Sequence, residues 1–176
     1  MAHTPEQLTQ KWLDDVVIGL NFCPFAGRPN REGNVRIVCS TAVNDGDLLR
    51  DIDAEYERLN NTAASELETT LLVVPNMLAS FQAYTDFLIL LEHSPWAGVF
   101  QVASFHPNYQ FDGVPEDAAE NLTNRAPYPV FHFIREASLE AALTHYENPE
   151  QIPERNIGVA NALSVEDKKR LFSYLF

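Results

Sequence analysis

Two histidines and a few arginines carry most of the reactive chemistry that this sequence offers. His106 falls in Phe105-His106-Pro107, at the expected end of a β-rich run. Imidazole titrates near neutral pH, so His106 is the first candidate for proton transfer. Arg125 lies in Thr123-Asn124-Arg125-Ala126-Pro127-Tyr128-Pro129, where two prolines and a tyrosine stiffen the chain around a guanidinium. A fixed arginine beside Asn124 suits a clamp on phosphate or carboxylate; the competing structural reading is an internal salt bridge to Glu68 or Glu136. Arg135 and Arg36 are further candidates for binding an anion, and Tyr109 and Tyr128 for lining its pocket. Glu68 or Glu136 would orient His106.

Cys23, in Asn21-Phe22-Cys23-Pro24-Phe25, is a reserve nucleophile or redox group. It stands at the expected C-terminal end of a helix, which disfavours a thiolate, so arginine or histidine neighbours would have to activate it. The competing reading is a small buried hydrophobe. A metal-assisted variant would join His132 to His106 with Glu68 or Glu136, but no ligand pair has a diagnostic spacing such as H-E-x-x-H. G-x-G-x-x-G, G-x-x-x-x-G-K and G-x-S-x-G are absent as well, which removes the common nucleotide and serine-hydrolase readings. No cofactor is called for. These residues predict an enzyme acting on a small anionic metabolite, with histidine acid–base chemistry and arginine anion binding.

A second reading comes from the connection between the last two expected strands, residues 107–129. Connections of roughly twenty residues are uncommon inside a compact domain and are usually functional or disordered. This one is flanked and filled by Phe105, Tyr109, Phe111, Tyr128, Phe131 and Phe133 and contains four prolines, so its backbone is restricted. A non-catalytic binding or adaptor module using this loop is the alternative. A Tyr109, Phe111 and Tyr128 patch, with His106 and Arg125 tied into internal hydrogen bonds, would favour it.

The elements that must position these residues follow from hydrophobic periodicity. Thr4, Pro5 and Gln7 open a helix with a capping box, and Leu8, Trp12, Leu13, Val16, Val17 and Leu20 form its stripe up to Cys23-Pro24. Gly27 to Asn34 reads as a loop. Strands are predicted at 35–40, 69–74, 99–106 and 130–135, and helices at 44–61, 79–93 and from a Ser138 cap to Tyr146, followed by two short helices over 149–163 and 164–174. Alternation puts Val130, His132 and Ile134 on one face of the last strand and Phe131, Phe133 and Arg135 on the other. The order predicts an α/β fold, with α+β as the variant: one layered domain over 1–176, helices packed on a mixed sheet of about four strands.

Charge bounds the partners. The 176 residues hold 12 Lys and Arg against 25 Asp and Glu, a net −13, which argues against nucleic acid or an anionic membrane surface as a general partner. No Lys or Arg occurs between Arg58 and Arg125, while eight acids do. Neither a secretory leader nor a run long enough to span a bilayer is evident, and two cysteines make no disulfide framework, so a cytoplasmic location is predicted.

The segments LNFCPF (20–25), ETTLLVVP (68–75), FHPNYQF (105–111), TNRAPYP (123–129) and HFIREAS (132–138) together resemble domain-of-unknown-function family 1415, found in bacteria and plastids. The resemblance runs in order along nearly the whole chain. It implies a compact bacterial protein and supplies no activity. Cys23, Glu68, His106, Asn124, Arg125, Arg135 and Glu136 match the family's polar signature.

Overall fold

The computed structural model describes residues 2–176. Thr4 and Gln7 close the expected capping box at the start of helix α1 (Pro5–Trp12). The helix then widens into a π-helical segment, Leu13–Ile18, and ends earlier than Cys23-Pro24. Gly19 sits so close to the preceding turn that a Cβ there would stand 2.2 Å from the Asp15 carbonyl oxygen. Asn21 follows in the left-handed region at φ 54°. The expected loop after Phe25 contains one short helix, α2 (Gly27–Arg31), a correction to the sequence reading.

Strand β1 (Val35–Cys39) leads to helix α3 (Asp45–Asn60), capped by the Asn44 side chain. Strand β2 (Thr69–Val73) leads to helix α4 (Phe81–Glu92), capped by Ser80. Strand β3 (Phe100–Phe105) enters the long connection, whose one regular turn is a 3-10 helix at Ala119–Asn124. Strand β4 (Val130–Arg135) passes directly into helix α5 (Glu136–Thr144). Ser138 therefore lies inside that helix and does not cap it, because the Glu136 N–H still pairs with the Val99 carbonyl at the sheet margin. Helices α6 (Ile152–Ala162) and α7 (Val165–Leu171, capped by Ser164) complete the chain.

The strands form one mixed sheet in the order β1-β2-β4-β3. β1 and β2 are parallel, and β4 runs against both β2 and β3. The four-stranded α/β architecture is as the sequence predicts. Each sheet face carries its own core. Tyr56 and Leu59 of α3 and Tyr84 and Phe87 of α4 pack with Leu72, Phe131 and Phe133 on one face. Trp12, Val16 and Val17 pack with Leu71, Val73, Val130 and Ala160 on the other. The split of β4 into alternating faces is thus observed. Tyr56, Phe131 and Phe133 are almost completely buried, each contributing about 1.5–3 kcal/mol by the area removed from water.

Arg135 closes the lower end of the first core. Its Nη2 donates to the carbonyls of Leu59, Thr62 and Leu67 at 2.8 Å each, which places a cation over the C-terminal end of α3. Replacing Arg135 with Met would leave those carbonyls without their donor, and urea melts are expected to show a loss of about 2–4 kcal/mol. Arg135→Lys should recover only part of it, because an ammonium lacks the planar fork.

Candidate functional site: the connection between β3 and β4

Adjacent antiparallel strands need only a two-residue hairpin. β3 and β4 are adjacent and antiparallel, yet His106 to Pro129 lies between them. The length of this loop is therefore not demanded by the sheet, and every buried backbone group in it must find a partner outside the ladder.

Its own side chains supply those partners. His106 is fully buried at the end of β3. Its Nδ1 accepts from the Asn108 N–H at 3.0 Å, so the ring proton sits on Nε2 and is donated to the Leu78 carbonyl at 2.9 Å. Leu78 itself stands in the left-handed region at φ 59°. The Phe81 and Tyr84 rings flank the imidazole at 5.4 and 5.2 Å. Burial pulls its pKa below the ordinary value, against the opposing Leu78 carbonyl. Both nitrogens of the expected proton-transfer group are thus engaged, and its neutral form is favoured.

Arg125 is partly buried and makes no salt bridge within the described residues. Its Nε donates to the Tyr109 carbonyl at 3.0 Å and its Nη2 to the Glu116 carbonyl at 2.9 Å. Its own carbonyl accepts from the Tyr174 hydroxyl at 2.8 Å. Asn124 donates through Nδ2 to the Ser104 carbonyl at 3.0 Å, and its backbone carbonyl accepts from the His106 N–H at 3.1 Å. Asn121, fully buried, accepts from the Phe111 N–H and donates to the carbonyls of Pro115 and Glu116. Tyr84 fixes both strand ends: its hydroxyl donates to the Val130 carbonyl at 2.6 Å and accepts from the Phe105 N–H at 3.0 Å. Sequence reasoning missed Asn121, Tyr84 and Tyr174. Nothing local marks them: Asn121 lies among Glu120, Thr123 and Asn124, and Tyr84 between Gln82 and Asp86.

The other candidates do not join them. Glu68 precedes Thr69, which pairs with Ile134, while His106 follows Phe105, which pairs with Val130. At ~3.3 Å per residue the two ends of the sheet lie roughly 15–20 Å apart. Glu68 and Glu136 are both at the lower end, so neither orients His106. Arg36 is bidentate to Glu55, at 2.9 and 3.1 Å, and Arg135 caps α3, so both are already committed. Tyr109 meets Phe81 and Phe111 at 5.0 Å in the loop, whereas Tyr128 packs into the core of the opposite face.

His106 and His132 lie on opposite faces of the sheet, which rules out a shared ion. Within the described residues no three His, Cys, Asp or Glu side chains cluster as metal ligands. His132 Nε2 lies 2.7 Å from the Thr69 hydroxyl, which itself donates to the Phe133 carbonyl, so the imidazole is the donor. Cys23 is partly buried, and that burial pushes its thiol up despite opposing contributions from the Phe25 and Ala26 backbone and the Arg155 charge. An activated thiolate is not the favoured state.

A family model described as "Protein of unknown function (DUF1415)" matches residues 4–170. The chain belongs to this family. No curated protein and no solved structure matches it. Among the described residues no helix is long and apolar enough to cross a membrane.

Two measurements test this architecture. Burial lowers the His132 pKa from 6.5 to about 4. The unfolded chain takes up this proton near 6.5 and the fold refuses it until about 4, so stability falls as pH drops through that window, by up to about 3 kcal/mol. His106 acts in the same direction. In urea melts between pH 7 and 4, His132→Gln is expected to flatten the slope; an unchanged slope would refute the assignment. Arg125→Met should leave the sheet amides protected while hydrogen exchange at Tyr109 to Glu116 speeds up by about tenfold or more.

Proposed function

We propose that this protein is a non-catalytic binding module that engages a basic segment of a partner protein through the 107–129 loop and the flank that continues from it. The observation that carries this reading is the internal use of the loop's polar groups. His106, Asn121, Asn124 and Arg125 are committed to the loop's own backbone and its neighbours. Such groups make a fixed shape, and a surface already ordered before contact loses little entropy on binding. An enzyme for a small anion would need a free acid–base group and an open cation in the same place.

The rim supports a basic partner. Asp112, Glu116 and Asp117 are exposed beside the half-buried Tyr109 and Phe111 rings. None of the three carboxylates has an ion-pair partner within the described residues. The base-free interval from residue 59 to 124 includes β2, α4, β3 and most of the loop, so a negative field covers this side and would repel a phosphate or carboxylate metabolite. Lysine or arginine interleaved with apolar side chains is the complementary chemistry.

The probe is an acetylated, amidated octapeptide of alternating lysine and valine, followed by fluorescence anisotropy. A Kd of roughly 10–100 μM at low salt is expected, weakening several-fold at ~0.3 M salt as exposed charges are screened. The glutamate–valine counterpart should not bind. Combining Asp112→Asn, Glu116→Gln and Asp117→Asn should weaken the lysine peptide by about threefold or more. No binding of the lysine peptide, or equal binding of both peptides, would refute the reading.

A further inference from the structure

Resting on that reading, we propose how the partner is held: a short extended, basic segment adds to the free edge of β3 as a fifth strand. The Glu136 N–H donates to the Val99 carbonyl, which sets the phase of the β3–β4 ladder. The Val99 carbonyl and the backbone groups of Gln101, Ala103 and Phe105 therefore turn toward β4, and Phe100, Val102 and Ser104 turn theirs outward.

The outward groups are satisfied only at the two ends. The Phe100 N–H donates to the Trp96 carbonyl at 3.0 Å. At the other end Asn124 takes the Ser104 carbonyl on its side-chain amide and the His106 N–H on its backbone carbonyl, as a neighbouring strand would. Between them, the Phe100 carbonyl, both backbone groups of Val102 and the Ser104 N–H meet no protein partner within the described residues. They form a ready template for about three residues of added strand.

Natural edges are usually blunted by charge, proline or a cover. β3 reads Phe-Gln-Val-Ala-Ser-Phe, with neither charge nor proline. A groove of about 430 Å³ runs beside it, floored by Leu88, Leu91, Phe100 and Val102, and can take the alternate side chains of an added strand. Val99, just before β3, and Leu90 of α4 are 46% and 55% exposed.

The charge at the groove selects the occupant. Glu92 and Glu136 line it, and Glu136 and Glu140 line the adjoining groove that meets it at Gly98. None of these carboxylates has an ion-pair partner within the described residues. Arg135, opposite Phe100, has committed its donors to the α3 end. A second copy of this chain would bring these carboxylates against their own kind, whereas a lysine-bearing strand pairs them.

The test uses the lysine–valine octapeptide and a copy N-methylated at every lysine and valine amide, which keeps side chains and charge but has no N–H on either edge to pair along a sheet. Strand addition requires that the methylated copy bind at least about tenfold more weakly. The parent peptide should slow hydrogen exchange at the Val102 and Ser104 amides by about tenfold. Val102→Pro removes an outward N–H only and should abolish binding with its melting temperature nearly unchanged; where it fails to fold, the peptide pair on the unaltered protein decides. Combined Glu92→Gln and Glu136→Gln should weaken the parent by about threefold or more. Equal affinity of the two peptides, or no change at the Val102 and Ser104 amides, overturns strand addition and leaves the basic-partner reading standing. A lysine peptide that does not bind at all removes both. Self-association of the protein that protects Val102 without peptide also overturns the proposal, since the occupant would be a second copy.

Discussion

Backbone groups withdrawn from water must be paired, and the chain between β3 and β4 has no ladder in which to pair them. That requirement organises the upper end of this molecule. His106, Asn121, Asn124 and Arg125 act as substitutes for a neighbouring strand, each joining two or more backbone positions. An unpaired buried donor or acceptor costs about 1–3 kcal/mol, as much as a sizeable share of a domain's net stability. The residues that look most chemical in the sequence are therefore those the loop depends on for its shape.

The same requirement redistributes charge. Arg125 and Arg135 donate to carbonyls, as does Arg155, which reaches the Asn21 carbonyl. A guanidinium is suited to this because it presents several donors in a plane and keeps its charge when partly buried. The consequence is a surplus of carboxylates with no partner. α4, β3 and the loop up to Asn124 hold no Lys or Arg, so the acids there, Asp86, Glu92, Asp112, Glu116, Asp117 and Glu120, have no basic residue in their own segment. The uncharged β3 edge lies within it. Apolar pairing capacity and a negative surround thus come from one segment of chain.

Strand and helix positions were readable because burial imposes periodicity on the residues themselves. β4 alternates as expected, since Phe131 and Phe133 must enter one core while Val130 enters the other. The capping box at Thr4 was readable too, because its side chain lies within three residues of the amide it satisfies; the expected Ser138 cap failed because Glu136 already begins that helix. The five-residue helix after Phe25 and the early end of the first helix were less readable. The first helix ends where its π-helical turn brings Gly19 against the Asp15 carbonyl, a close approach that no period reports.

The place of the loop was readable in the sequence, whereas the partners of its side chains were not. Composition alone marked 107–129 as a stiff, aromatic loop, because proline and aromatic content act wherever the chain goes. Whether His106 is free depends on the Leu78 carbonyl, 28 positions away, and whether Arg135 binds an anion depends on the end of α3, some 70 positions away. The direction and register of the strands then separate Glu68 and Glu136 from His106 by the length of the sheet. Sequence fixes which side chains can donate, accept or carry charge. Only the packed chain decides which partners are near enough to use them up, because hydrogen bonds act over about 3 Å while the chain brings distant segments together.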